Sequence, residues 1–209
     1  MKFALVALLI GVGFNGVGPM VFRDSFAGKL AEGWSWRREN PATWRIREHA
    51  LEIRIEPGNM WGPANDARNV LVRKLAEASR TQISLTVSNK PTGQYEQVDL
   101  VWYYDDSHQV KIGQEMVDGK LSIVMGREEK DRTRTIAITP IEALQVDLRL
   151  VMTNNVIRGA FRTTGTKAWR EVGSCDLPVH GDAHVAIECY QGLPSAEHWA
   201  RITNFEISN

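Results

Sequence analysis

Apolar and polar residues alternate at period two through most of the chain. Residues 83–88 alternate Ile, Leu and Val with Ser and Thr, and residues 51–56 alternate Leu and Ile with Glu and Arg. This alternation predicts strands with one buried and one polar face. Helix signals are nearly absent, and only residues 74–79 and 140–144 are compatible with a helical turn or two.

Turn residues divide the second half of the chain into short segments, and Asp118-Gly119 is a strong hairpin signal. The strands predicted there are residues 98–104, 110–116, 121–125, 146–152, 156–162 and 202–207, with a further strand around Trp169. About a dozen strands do not fit one open sheet without curling. The sequence therefore predicts an all-β fold, a two-sheet antiparallel jelly-roll sandwich, as a single domain over residues 19–209.

The chain begins with the features of a secretory signal. Lys2 precedes an almost wholly apolar run over residues 3–14, which is too short to span a bilayer. We expect residues 1–18 to be a signal peptide and the protein to be exported, to the periplasm or the extracellular space. The alternative is that residues 4–10 form a buried first strand.

Composition narrows the classes of partner. Twenty-five basic and 25 acidic residues give a formal net charge of zero, which argues against nucleic acid or an anionic membrane as a partner. Cys175 and Cys189 are the two cysteines of the chain. In an oxidising compartment they either form a disulfide or remain two buried thiols, and the sequence leaves both possibilities open.

The central hairpin carries the main candidate site. A turn at residues 105–107 places Val98, Leu100 and Trp102 on the core face of the sheet. The opposite face then carries Gln97, Asp99, Tyr103, Lys111, Gly113 and Glu115. An aromatic ring beside carboxylate, amide and ammonium groups is suited to sugar, because the ring stacks on C–H groups while the polar groups bind hydroxyls. The alternative is a solvated face with a Lys111–Glu115 ion pair.

Several tryptophans, a histidine-rich motif and a charged segment are further candidates for function. Trp61 lies in a loop rich in glycine and proline, so it is a candidate for ligand contact. The tryptophans at positions 34, 36 and 44 are more typical of core than of a stacking platform. His180-Gly-Asp182-Ala-His184 has the spacing of metal ligands, but its setting favours a loop, so no metal site is predicted. Residues 127–132 are mixed in charge and predict a solvated hairpin end.

Several short motifs resemble a known family. They are Trp34-Ser-Trp36, Asn69-Val70-Leu71-Val72-Arg73, Tyr104-Asp105-Asp106, Val110-Lys111-Ile112-Gly113-Gln114-Glu115 and Phe205-x-Ile207. They resemble a bacterial concanavalin A-like family known as domain of unknown function 1349, whose relatives include the accessory domains of β-xylosidases. The resemblance implies a jelly roll whose concave face can hold sugar. Asn204 stands where relatives often carry an acidic residue, which weakens the case for a structural calcium ion shared with Asp24.

These observations predict an exported, non-catalytic carbohydrate-binding domain. Trp61, Tyr103, Lys111 and Glu115 are the expected contacts to a polysaccharide or oligosaccharide, and no cofactor is expected. The first alternative is a glycan-cleaving enzyme, a hydrolase or lyase, with Glu115 as general acid or base and Asp99 as its partner carboxylate. The second alternative is a structural or protein-interaction sandwich.

Overall fold

The computed structural model describes residues 18–209, so all but the last residue of the predicted signal peptide lies outside the described residues. Within that range the chain forms fifteen strands and one short 3-10 helix, Pro41–Thr43. The strands are β1 (Met20–Asp24), β2 (Trp34–Arg37), β3 (Trp44–Arg47), β4 (Ala50–Arg54), β5 (Val70–Lys74), β6 (Arg80–Ser88), β7 (Gln97–Asp105), β8 (His108–Val117), β9 (Lys120–Glu129), β10 (Arg132–Pro140), β11 (Gln145–Thr153), β12 (Val156–Thr163), β13 (Arg170–Asp176), β14 (His184–Tyr190) and β15 (Trp199–Ser208).

The strands form two antiparallel sheets. The eight-stranded sheet has the order β13-β12-β11-β6-β15-β4-β3, with β1 paired to β15. The seven-stranded sheet has the order β10-β9-β8-β7-β14-β5-β2. Their facing sides enclose the main core, which includes Leu85 and Ile202 from the first sheet and Leu100 and Ile112 from the second. The predicted all-β, two-sheet fold is confirmed.

The tryptophans near the start of the chain pack against this core, as expected. Trp34 lies edge-on to Phe205, with ring centroids 4.8 Å apart. The rings of Trp36 and Trp44 are also 4.8 Å apart, and both pack against the core. The aromatic cluster therefore stabilises the sandwich instead of offering a stacking platform.

Residues 74–79 and 140–144, which the sequence leaves compatible with a helical turn or two, form no helix. Both segments are irregular beyond the strand ends, because their backbone groups pair with neighbouring chain instead of with each other. The Leu75 amide donates to Ala183 at 2.9 Å, and the Ile141 amide donates to Leu121 at 2.9 Å. Strand β10 was not predicted, because this edge strand is largely exposed and lacks the alternation that marks a buried face.

Cys175 on β13 and Cys189 on β14 belong to opposite sheets, and both are buried free thiols. The Asp24 carboxylate accepts bonds from the Phe26 and Ala31 amides and from the Trp34 indole, so its oxygens serve the fold. Among the described residues, no helix has the length and hydropathy needed to cross a bilayer.

Candidate functional site

The pairing of β7 with β8 sets which side chains share the outer face of the seven-stranded sheet. Gln97 lies opposite Glu115, Asp99 opposite Gly113, and Tyr103 opposite Gln109. This is the predicted register. The predicted turn at residues 105–107 is wrong, because Asp105 still belongs to β7 and pairs with His108, which leaves residues 106 and 107 as the turn. An irregularity between Tyr103 and Asp105 restores the predicted register from Tyr103 onwards.

The segment between β4 and β5, residues 55–69, folds over part of this outer face. It seals a second, smaller apolar cluster against β5, β7 and β14. The members of the cluster are Met60, Ala67, Val70, Val72, Val101, Tyr103, Ala186 and Tyr190. We call residues 55–69 the covering segment. Because of it, the outer face is not the open sheet surface that the sequence predicts.

Buried polar side chains tether the covering segment. The Gln109 amide donates to the Met60 carbonyl at 2.7 Å. The Gly62 amide donates to both carboxylate oxygens of Glu128, at 3.1 and 3.2 Å. Glu128 is fully buried, and burial raises its pKa above the usual value. The predicted solvated hairpin end is therefore wrong at Glu128, because its carboxylate anchors the covering segment.

The tether positions Trp61 over the sheet. The Asn59 side chain bridges the backbone of Trp61, accepting from its amide and donating to its carbonyl. The ring lies above Gly126 so closely that a Cβ at that position would be 2.4 Å from it. The Lys111 ammonium lies 4.9 Å from the ring centroid, within range of a cation–π interaction. A glycine in the sheet thus makes room for the aromatic ring.

A cavity of about 480 Å³ lies beside Trp61 on the same face. Its walls combine aromatic, amide, charged and aliphatic side chains. They are Asn59, Trp61, Tyr95, Gln97, Lys111, Glu115, Val117, Asp118, Val124, Thr135, Ile138 and Gln191. Three of the four predicted contact residues, Trp61, Lys111 and Glu115, line this cavity together.

Tyr103, the fourth predicted contact residue, lies away from the cavity. It is fully buried in the smaller apolar cluster, and its hydroxyl donates to Asp106 at 2.6 Å. The Arg37 guanidinium covers its ring at 5.3 Å. Tyr95, which the sequence analysis did not select, supplies a second aromatic wall and is half exposed.

Lys111 is the centre of the polar network at the cavity floor. Its ammonium donates to Glu115 at 3.2 Å, to the Tyr190 hydroxyl at 3.4 Å and to the Gln97 amide oxygen. The Asp99 carboxylate is 3.6 Å away. Burial alone would lower the pKa of Lys111, but Asp99 and Glu115 outweigh it and raise that pKa. Lys111 therefore remains a cation.

Beneath Lys111 lies a pair of buried carboxyl groups, Asp99 on β7 and Glu188 on β14, which are direct cross-strand partners. Both are fully buried, and no oxygen of either has a hydrogen-bond partner in the described part of the chain. Burial raises the pKa of Asp99 to about 6, although the Lys111 charge opposes this, and burial raises the pKa of Glu188 well above its usual value. Sequence reasoning missed Glu188, although a single acidic residue within the apolar run of residues 185–190 was a usable signal.

The arrangement suits binding of a neutral, hydroxyl-rich molecule. Trp61 and Tyr95 supply aromatic side chains to the cavity wall, while Gln97 and Glu115 supply polar groups that bind hydroxyls. Glycosidic bond cleavage needs two carboxyl groups that both reach the scissile bond. Asp99 is fully buried and does not line the cavity, so the predicted pair Glu115 and Asp99 does not meet this requirement.

Two packed antiparallel sheets joined in this order form a sandwich of the concanavalin A-like class. The family model of the beta-xylosidase C-terminal concanavalin A-like domain matches residues 23–193. The chain belongs to this family. No curated protein matches the sequence.

Solved structures share the fold at low sequence identity. The GH43 BlXynB protein from Bacillus licheniformis is 18% identical with a TM-score of 0.79, over 89% of this chain and 39% of that one. The xylan beta-1,4-xylosidase from Bacillus halodurans is 16% identical with a TM-score of 0.75, over 90% and 39%. A functionally unknown protein from Saccharomyces cerevisiae is 18% identical with a TM-score of 0.66, over 84% and 95%. The chain thus spans about two fifths of the length of the two bacterial enzymes.

Proposed function

We propose that this protein is a non-catalytic carbohydrate-binding domain that holds a glycan chain in the cavity beside Trp61. The observation that carries the proposal is the juxtaposition of Trp61, Lys111 and Glu115 around that cavity. Lys111 and Glu115 project from strand β8 and Trp61 from the covering segment, where buried bonds from Gln109 and Glu128 hold the aromatic ring in place. A binding site with its ring already positioned loses little entropy when ligand arrives.

The relatives suggest which glycan to test first. One solved relative is described as a xylan beta-1,4-xylosidase and another as part of a xyloglucan utilisation locus. We therefore propose neutral plant polysaccharides of the xylan and xyloglucan type as ligands. Export to the periplasm or the extracellular space is part of this proposal, since such polymers are met there. The narrower resemblance to domain of unknown function 1349 stays a prediction.

The local charge supports a neutral ligand over a uronic acid polymer. Glu115 and Asp118 line the cavity, and among residues 18–209 Lys111 is the one cation in its wall. The Lys111 ammonium is already bonded to Glu115 and Gln97, so it has little capacity left for a ligand carboxylate. A polyanionic glycan would meet the two cavity carboxylates without a free cation in compensation.

Affinity electrophoresis through gels that contain xylan, xyloglucan or pectin tests the proposal. The parent protein should be retarded by a neutral polymer, and Trp61→Ala and Glu115→Gln should each abolish that retardation. Trp169→Ala is a matched control, because Trp169 is a half-buried tryptophan on the outer face of the other sheet, packed on Arg149 and Arg162. Migration of the parent protein without retardation in every gel would refute the proposal. Retardation lost only in Trp169→Ala would move the site to the other sheet.

The hydrolase alternative has a separate readout. Reducing ends released from xylan or xyloglucan by the parent protein and not by Glu115→Gln would show that Glu115 acts chemically. The burial of Asp99 leads us to expect no such release.

A further inference from the structure

The turn between β7 and β8 brings together three side chains that have no part in the cavity. Asp105 ends β7, His108 begins β8, and His180 lies in the connection between β13 and β14. The His108 Nδ1 atom is 3.0 Å from one Asp105 oxygen, and the His180 Nε2 atom is 3.2 Å from the other. The three potential ligand atoms all lie within 4.8 Å of one another.

We propose that Asp105, His108 and His180 form a binding site for one divalent transition-metal ion of the zinc class. Two imidazole nitrogens with one carboxylate oxygen are a donor set that suits zinc and its neighbours better than calcium or magnesium. Ligand atoms about 2.1 Å from a tetrahedral zinc ion are roughly 3.4 Å from one another. Each histidine nitrogen lies near that distance from one Asp105 oxygen, His108 at 3.0 Å and His180 at 3.2 Å, so a modest shift of the side chains brings all three onto one ion.

The surroundings fix two of the ligands and leave the third adjustable. The His108 side chain is only 9% exposed, and Asp105 Oδ1 also accepts from the Ser107 amide at 2.8 Å. The His180 side chain is 54% exposed, and its ring stacks on that of His108 at 3.8 Å, inclined by 7°. Parallel rings direct their nitrogen lone pairs side by side, so metal binding requires the His180 ring to rotate until both lone pairs converge. Its exposure permits that rotation.

Two bonds fix the residues that follow His180 to the end of β5. The Leu75 amide donates to the Ala183 carbonyl at 2.9 Å, and Lys74 pairs with Asp182 at 2.6 Å. Asp182 and His184 have the spacing that drew attention in the sequence, but Asp182 is occupied by Lys74. His184 begins β14, and its Nδ1 atom faces the Asp182 carbonyl at 3.0 Å. In the tertiary structure His180 therefore lies beside Asp105 and His108, and not beside the Asp182 and His184 side chains that its sequence motif suggests.

Titration of the chelator-treated protein with Zn²⁺, followed by calorimetry, tests the proposal. We expect one ion per chain, and we expect His180→Gln to weaken binding at least tenfold, since even the loss of an outer-shell contact costs about 10- to 100-fold. His184→Gln is the matched control and should bind like the parent protein. Because His180 is exposed in a connection, His180→Gln should keep the parent fold, which circular dichroism checks.

Cobalt gives an independent readout, since four-coordinate Co²⁺ absorbs visible light far more strongly than the free hydrated ion. The parent protein and His184→Gln should show this absorption, and His180→Gln should not. Three results would overturn the proposal. They are no binding of Zn²⁺ at millimolar concentration, equal weakening in the two histidine variants, and binding of Ca²⁺ as tight as that of Zn²⁺.

Discussion

Replacing Asp99 with Asn should change how the stability of the protein depends on pH. Asp99 is fully buried beside Glu188, and burial raises its pKa to about 6. In an unfolded chain the same carboxyl group titrates near pH 3.9. Below about pH 3.9 the Asp99 carboxyl is protonated in both the folded and the unfolded protein, so no charge is buried and the free energy of unfolding is not reduced. Between the two values the folded protein keeps a proton that the unfolded chain releases, so the free energy of unfolding falls as the pH rises.

The size of the effect follows from the two pKa values. At about 1.4 kcal/mol per pKa unit, a rise from about 3.9 to about 6 corresponds to about 3 kcal/mol lost by pH 7. Asp99→Asn has no titrating group at this position, so its free energy of unfolding does not fall with pH for this reason. The variant should therefore gain about 3 kcal/mol of stability relative to the parent protein between pH 4 and pH 7.5.

Urea unfolding followed by tryptophan fluorescence at several pH values measures this difference. Asp118→Asn is the control, because Asp118 is an exposed carboxylate at the β8–β9 turn and its removal changes the net charge equally. A difference between the parent protein and Asp99→Asn that stays constant over this pH range would refute the reasoning. It would mean that the Lys111 ammonium, 3.6 Å from Asp99, fully offsets the cost of burying the charge.

Three further predictions concern the aromatic wall, the thiols and the core. Gly126→Ala should weaken glycan binding about tenfold and lower the free energy of unfolding by about 1 to 3 kcal/mol, because the new methyl group displaces the Trp61 ring. Unchanged affinity would contradict this. Cys175 and Cys189 should resist a thiol reagent at pH 8 until the protein is unfolded, because both thiols are buried. Burial raises the pKa of Cys175 to about 11 and that of Cys189 well above its usual value, so little reactive thiolate is present. Fast labelling of the native protein would contradict this prediction. Phe205→Ala should lower the free energy of unfolding by about 3 to 5 kcal/mol in urea, and a loss under about 1 kcal/mol would show that this core site relaxes.

The alternation of residue types was sufficient for the fold class and for the hairpin register. Ile83, Leu85 and Val87 point into the core as their period predicts. Asp99 lies opposite Gly113 as predicted, although an irregularity between Tyr103 and Asp105 compensates for a turn that is one residue shorter than expected. The side-chain period of a strand is a property of consecutive residues, so the sequence alone determines it. The irregularity beside the turn has no such signal in the pattern.

The candidate site needed contacts between segments far apart in the chain. Whether Tyr103 faces solvent depended on the covering segment, which packs on it from more than thirty residues away. Glu188 meets Asp99 only because β14 lies beside β7 in the sheet. This strand order cannot be predicted from the residues of either strand. Likewise, His180 reaches Asp105 and His108 through the packing of a distant connection. Alternation therefore determined which face each side chain takes, whereas long-range packing decided which faces are covered and which side chains meet.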